Sequence, residues 1–425
     1  LAFGENNFAA RLPSAVSTLL SAILLFLLAW KFTGDERKAI LSAAAFLTCV
    51  EVFAIGVFNV LDGLFSMFVT AMMVSFFFAL NETRDRQRNI LLALCGASCG
   101  MAFLTKGFLA FALPAAGIIP YLAWERRIKE IFRLAWLPAI AAIAVILPWA
   151  ILIHIREGEF WFQFFWIEHI RRFFAPLGKA QHAEPFWFFL PVLAAGVFPW
   201  LLLLPAAAAG IWQKGFSGNL TRFAACWFLS FFLVFSASTG KLGTYILPCF
   251  PPLMFLVVEG LLTHLQQGRS KLVFGTAVIL AILMAAASLF LVTSQNFECM
   301  DNMRVYWDEE VWKWRFLAAG FAVFSIFALL AANEINAHKQ VALYAMTPLV
   351  LFLAVHFTIP ETFRLKSREC MNPVGMIEHY AAKLTPDSVI LADSYLAPAI
   401  CWACKRTDIF LYETGGEMSY GLKYR

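Results

Sequence analysis

Residues 61–88 read LDGLFSMFVTAMMVSFFFALNETRDRQR. An acid stands near the start, an uninterrupted apolar run fills the middle, and Arg84, Arg86 and Arg88 close the far end. At 1.5 Å per residue, a helix of that length crosses most of a hydrocarbon layer roughly 30 Å thick. Arginine-rich connections stay on the cytoplasmic side, so the run has a direction as well as a length.

The same pattern repeats along the chain. Apolar stretches at 12–30, 40–58, 63–80, 90–104, 108–124, 134–153, 186–210, 223–238, 243–262, 272–293, 315–332 and 341–359 predict about twelve spans. Alternate connections are basic: Lys31, Arg37 and Lys38; Arg84, Arg86 and Arg88; Arg126, Arg127, Lys129 and Arg133; Lys214 and Arg222; Arg269 and Lys271; Lys339. These six are expected in the cytoplasm. Residues 58–62, 105–107, 154–185, 239–242, 294–314 and everything after 360 then share the other face, which is periplasmic in a Gram-negative cell.

Composition excludes a soluble domain. The 425 residues are 61% hydrophobic and 14% charged, with mean hydropathy +0.73, whereas a soluble domain is nearer half apolar. The net charge of +5 is spread over the inter-span loops and forms no stripe, which argues against nucleic acid as a partner. Cys49, Cys95, Cys99, Cys226 and Cys249 fall in apolar runs, where cysteine acts as a small hydrophobe. Cys401 and Cys404 form a lone CxxC; without a second ligand pair it reads as a local disulfide or two unrelated thiols before a zinc site. The tail pattern predicts an amphipathic helix over 376–384, a strand over 388–393, a helix over 397–405 and a strand over 408–412. The fold expected is therefore an all-α polytopic membrane bundle over 1–360, followed by a partial periplasmic α/β domain over 361–425. Leu1 in place of Met, and an end without a closing element, lead us to expect a piece of a longer protein.

The polar residues at membrane depth gather on the non-basic face. Asp62 is either a helix N-cap or a functional carboxylate. Lys106, in LTKGF, is either a snorkelling lysine or a functional cation, and Gly107 beside it predicts a helix break. In WIEHIRR, residues 166–172, a helix puts Glu168, His169 and Arg172 on one face. Glu168, His169, His182 and Glu184 are also the types that ligate a divalent metal, although their spacing matches no fixed motif. Lys241, in STGKLGTY (238–245), opens a span on the same side; the run lacks Walker spacing, so nucleotide binding is not expected. Lys106, Arg172 and Lys241 thus set three cations at one membrane surface, which suits a lipid-linked phosphate. A broken helix at 105–107 also fits a lipid-linked sugar flippase, but transporters keep polar groups near the midplane, and here they lie on one face.

Taken in order, several segments carry a resemblance: FGENNFAARLP (3–13), LDG (61–63), LTKG (104–107), WIEHIRRF (166–173), AQHAEPFW (180–187), GKLGTYILP (240–248), CKRTDIFLY (404–412) and GEMSYG (416–421). The chain resembles the lipid A aminoarabinose transferases. These are undecaprenyl phosphate 4-amino-4-deoxy-L-arabinose arabinosyltransferases of the wider polyprenyl-phosphate-dependent, protein-mannosyltransferase-like class. The resemblance implies a GT-C-like helical bundle in the bacterial inner membrane, with a lipid-linked aminosugar as donor, lipid A as acceptor and membrane lipid around it. It implies functional roles for Asp62, Lys106 and Arg172, expected to be catalytic, and for the tail acid Glu417; Glu168, His169, Lys241, Tyr245 and Glu417 are the residues expected to bind substrate. No cofactor is required by it beyond the lipid-linked donor, and a divalent metal stays open. Members also carry a first span and loop, with a catalytic acid and a phosphate-binding lysine, ahead of the match to Leu1. The chain by itself is therefore expected to be inactive. Product lipid A would expose fewer negative charges and bind polymyxin and other cationic peptides less well. The alternative expectation is another polyprenyl-phosphate sugar transferase, acting on protein or glycan.

Overall fold

The computed structural model describes residues 3–4, 6–171, 183–266, 268, 270–297, 300, 303–360, 377, 380–381, 383–412, 415 and 422, without the side chains of 168, 169 and 171. Helices dominate: α1 (Asn7–Thr33), α2 (Glu36–Leu47), α3 (Val50–Val57), α4 (Leu61–Leu80), α5 (Asp85–Lys106), α6 (Leu109–Trp124), α7 (Glu130–Leu134), α8 (Trp136–Arg156), α9 (Phe189–Gly196), α10 (Leu204–Lys214), α11 (Asn219–Ala237), α12 (Phe250–Leu265), α13 (Lys271–Asn296), α14 (Val311–Asn333), α15 (Ala337–Phe357) and α16 (Ala397–Cys404). Residues 162–171 wind as a π-helix and 243–249 as a 3-10 turn leading into α12.

Among the described residues, nine helices are long and apolar enough to cross a membrane, and up to eleven if each of two bent pairs counts as one span. The expected number was about twelve. The difference lies in α6, which has 16 residues, short of the ~20 a full crossing needs. Two stretches expected as single spans are broken. α2 and α3 meet at 65°, and the pair Phe186–Gly196 and Trp200–Lys214 meets at 99°.

The two breaks answer each other. A bend releases backbone groups that cannot be left unpaired in an apolar medium, where each costs several kcal/mol. Val50 N–H donates to the Phe198 carbonyl at 3.1 Å, and the Trp200 indole N–H donates to Thr48 Oγ1 at 3.2 Å. Tyr344 Oη donates to the Pro199 carbonyl at 2.9 Å, tying α15 to the same point.

The chain forms two compact units, residues 1–283 with 323–352, and residues 284–322 with 353–425. In the first, α4 packs on α5, α5 on α8, α10 on α12, α1 on α2 and α4, and α6 on α11. α12 is almost wholly enclosed and α8 almost wholly exposed, so α12 runs through the unit's interior and α8 lines its outside. Small residues permit the closest approaches. A Cβ on Gly210 of α10 would lie 1.9 Å from the Gly260 carbonyl oxygen of α12, and one on Gly96 of α5 would lie 2.2 Å from the Pro138 carbonyl oxygen of α8. On the basic side, buried Glu259 of α12 pairs with Lys38 (2.8 Å) at the start of α2 and with Lys214 at the end of α10. A buried carboxylate persists only with such partners.

The second unit has its own small core of Leu291, Tyr306, Trp314 and Ala318, with Val305, Leu317 and Phe321 against it. Tyr306 Oη donates to the Thr358 carbonyl at 2.8 Å. In the tail, β1 (Ile390–Ala392) and β2 (Ile409–Leu411) pair in parallel, Ile390 opposite Ile409, with α16 as the crossover that parallel pairing requires. The strands are shorter than the sequence pattern predicts, and the helix expected over 376–384 lies largely outside the described residues. Cys401 and Cys404 are unbonded, three residues apart on α16.

Candidate active site at the non-basic end of α4 and α5

Asp62 enters the first turn of α4, but it is not the N-cap. Val60 holds that position, with no side chain capping the helix. The carboxylate instead accepts from Lys106 Nζ, at the last residue of α5. Gly107, with φ of 67°, turns the chain out of α5 and lets α6 start two residues later; a side chain is strained at that φ. The break expected at 105–107 is thus present, and it holds the ammonium at the end of the α4–α5 hairpin.

Lys106 is also capped by aromatic rings. Its Nζ lies 4.1 Å from the centroid of Tyr245 and 5.8 Å from that of Phe65. Tyr245 arrives on the 3-10 turn, which packs against α3, α4, α9 and α11. The Lys106 and Asp62 side chains keep 19% and 13% exposure, enough for a ligand to reach the pair. A lysine braced by a carboxylate and a ring face is a preorganised cation, suited to a phosphate oxygen.

Lys241 is placed differently. It is 3% exposed, and Nζ donates to the backbone carbonyls of Ser238 and, at 2.9 Å, of Glu184. Burial lowers its pKa, and the Glu184 carboxylate works against that shift. Glu184 N–H donates to the Thr239 carbonyl at 3.2 Å, and Ala183 bridges Gly240. Lys241 therefore fastens segment 183–185 to segment 238–241.

Arg172, His182 and Glu417 lie outside the described residues, as do the side chains of Glu168 and His169. Of the four metal-ligand candidates, only Glu184 can be placed. Among the described residues, no group of three or more His, Cys, Asp or Glu is gathered to hold a metal ion.

One acid escaped the sequence reading. Glu51 stands in the first turn of α3, just past the α2–α3 break, inside the stretch read as an apolar span. It packs against α9, where a Cβ on Gly196 would lie 2.9 Å from Glu51 Cβ. The signal was available: a carboxylate at membrane depth is costly and is a site candidate by default.

Comparison with known proteins adds to this geometry. Residues 1–164 match the dolichyl-phosphate-mannose-protein mannosyltransferase family, a stretch that holds Asp62 and Lys106. Residues 369–425 match the C-terminal domain of the arabinosyl transferase ArnT. An undecaprenyl phosphate-alpha-4-amino-4-deoxy-L-arabinose arabinosyl transferase of Photorhabdus laumondii is 36% identical over 99% of this chain and 74% of its own length. Its namesake in Shewanella sediminis is 35% identical over 99% of this chain and 75% of its own length. Crystal structures of ArnT from Cupriavidus metallidurans share the fold. The form bound to undecaprenyl phosphate has a TM-score of 0.76 at 22% identity, covering 98% of this chain and 74% of that one. The apo form has a TM-score of 0.75.

Proposed function

The chain belongs to the undecaprenyl phosphate-alpha-4-amino-4-deoxy-L-arabinose arabinosyl transferase family, and from that premise we propose that its braced Lys106 ammonium manages the phosphate charge of an aminoarabinose transfer to lipid A. It is a multi-pass membrane glycosyltransferase. The observation that carries the site assignment is the Lys106 ammonium, held by Asp62 and faced by Tyr245 at the non-basic end of α4 and α5.

In the proposed reaction a lipid A phosphate oxygen attacks the anomeric carbon of the sugar. The new C–O bond forms as the bond to undecaprenyl phosphate breaks, and that phosphate leaves with the bonding pair. The attacking oxygen is already ionised and the leaving group is a stable anion, so strong acid–base catalysis is less needed than in glycoside hydrolysis. Two phosphates must instead be held without mutual repulsion, which is an electrostatic task. Lys106 serves it, with Arg172 as a bidentate partner to phosphate. Asp62 fixes the Lys106 ammonium, and Tyr245 supplies one wall of the site. Lys241 acts indirectly by holding segment 183–185 to segment 238–241; Glu168, His169 and Glu417 are assigned to substrate binding. The sugar arrives activated on lipid, so no nucleotide is required.

The same reading places the protein in the bacterial inner membrane. The transmembrane domain spans 1–360, and the tail from 361 onward forms an α/β domain in the periplasm. Lipid A bearing the aminosugar has less net negative charge, which weakens binding of polymyxin and other cationic peptides. The mannosyltransferase match over 1–164 keeps transfer to protein as a second reading.

Mass spectrometry of lipid A tests the assignment. The complete native reading frame is expressed in a host that makes the donor and lacks its own transferase. The expected result is lipid A heavier by one aminopentose per modified phosphate. Unmodified lipid A, with folded protein in the membrane and a glycosylated protein acceptor instead, would refute the lipid A reading in favour of the second.

A further inference from the structure

The CxxC of the tail has no task in the transfer chemistry above. Cys401 and Cys404 form the last turn of α16 with the two residues between them, both half-buried, and Cys404 is the final residue of the helix. Positions three apart share one side of a helix. Cys49, Cys95, Cys99, Cys226 and Cys249 are instead buried in the first unit, and buried thiols are inert.

Spacing decides what the pair can do. Side chains three apart on an α-helix stand about 5–6 Å apart at Cβ, whereas a disulfide draws its two Cβ atoms to about 3.5–4.5 Å. The bond therefore forms only as the turn tightens toward 3-10 geometry, in which such side chains eclipse. The end of α16 permits this, because the chain leaves the helix at Lys405 in a left-handed conformation (φ 53°) and no further turn resists the change. The entropic gain is small, since loop-closure stabilisation grows with loop length and only two residues separate the cysteines. A strained bond of little stabilising value is reduced more readily than a structural one.

Resting on the periplasmic placement of the tail in the reading above, we infer that Cys401 and Cys404 are a modification site, a dithiol that closes reversibly to an intrahelical disulfide at the end of α16. The oxidant is itself a disulfide, of a small molecule or a protein. One cysteine thiolate attacks a sulfur of that disulfide and expels the other sulfur as a thiolate. The second cysteine thiolate then attacks the first cysteine's sulfur, the Cys401–Cys404 bond forms, and the mixed disulfide breaks. Two electrons pass to the oxidant, which leaves reduced with the two thiol protons on its sulfurs. Closure acts on the crossover between β1 and β2. Lys405 Nζ lies 4.2 Å from the centroid of Trp402, and Arg406 donates to the Thr385 carbonyl at 3.3 Å and pairs with Asp408, just ahead of β2. A tighter last turn pulls on both contacts.

The test equilibrates the purified full chain in glutathione buffers graded in the square of the reduced over the oxidised concentration. Free thiols are then alkylated, and tryptic peptides are measured by mass spectrometry. Peptide 384–405 holds Cys401 and Cys404 and no other cysteine, so closure makes it lighter by two hydrogens and leaves neither thiol alkylated. The closed fraction is expected to run from about a tenth to about nine tenths over roughly a 100-fold change in that quotient, as a two-electron couple demands. Amide exchange over 397–411 should change on closure, while Cys401→Ser and Cys404→Ser should show neither the mass loss nor the exchange change. A peptide that stays open at every quotient, one that stays closed at every quotient, or a cross-link from Cys401 or Cys404 to Cys299 or Cys370 overturns the inference. A phosphatase fusion after residue 412 reports the side of the membrane separately. A closing pair with an inactive fusion would refute the periplasmic placement and leave the chemistry of the pair standing; an active fusion with an inert pair would do the reverse.

Discussion

At the scale of single residues, Asp62 and Lys106 were legible because charge is costly in an apolar run. Their partnership was not. The two are 44 positions apart, and no local spacing encodes an ion pair made by a hairpin of two spans. Asp62→Asn keeps the shape and removes the brace, so transfer should fall by about 10²–10³ in kcat, the scale seen when one preorganised electrostatic group is lost. A reconstituted single-donor assay reads this; a wild-type rate would remove Asp62 from the site. Lys241 teaches the opposite lesson. Sequence marked it as a phosphate-facing cation, yet its donors go to the Ser238 and Glu184 carbonyls. Lys241→Met would orphan two carbonyls, costing about 1–3 kcal/mol. The expected signature is a lower Tm in detergent, with donor KM raised and the salt dependence of donor binding unchanged. An altered salt dependence with normal Tm would return Lys241 to the phosphate site.

At the scale of elements, hydropathy located every long helix but saw neither bend. Stretches 40–58 and 186–210 read as continuous apolar runs, Glu51 apart, and a window average has no term for a turn of 65° or 99° inside them. What makes those bends tolerable is tertiary: Val50 bonded to Phe198, and Trp200 bonded to Thr48. The Glu259 ion pairs were equally invisible, since Lys38 and Lys214 read as topology signals alone. Close helix contact is testable here. Gly210→Ala would drive a methyl to 1.9 Å from the Gly260 carbonyl, so α10 and α12 must part. Overpacking of this kind costs about 1–3 kcal/mol, and thermal unfolding in detergent should show a clear fall in Tm. Gly275→Ala in α13 is the control. Nothing lies within 4 Å of its added Cβ, and alanine favours a helix, so its Tm should hold or rise.

At the scale of the whole molecule, direction follows from charge. Arg84, Arg86 and Arg88 follow α4, and Lys106 and Asp62 meet at its opposite end, so one helix of 20 residues separates the basic connection from the proposed site. A lysine at the end proposed as reactive runs against the positive-inside rule, and its pairing with Asp62 leaves no net charge there to oppose the expected orientation. Phosphatase fusions after residue 412 should therefore be active and those after residue 88 inactive, with cytoplasmic reporters giving the inverse pattern. Asp62→Asn sharpens the argument. It leaves Lys106 unneutralised, and three arginines at the other end of α4 should still outweigh one lysine. The fusion pattern is expected to persist even as transfer is lost. An inverted pattern in the variant would mean that orientation depends on the ion pair and not on the basic loops.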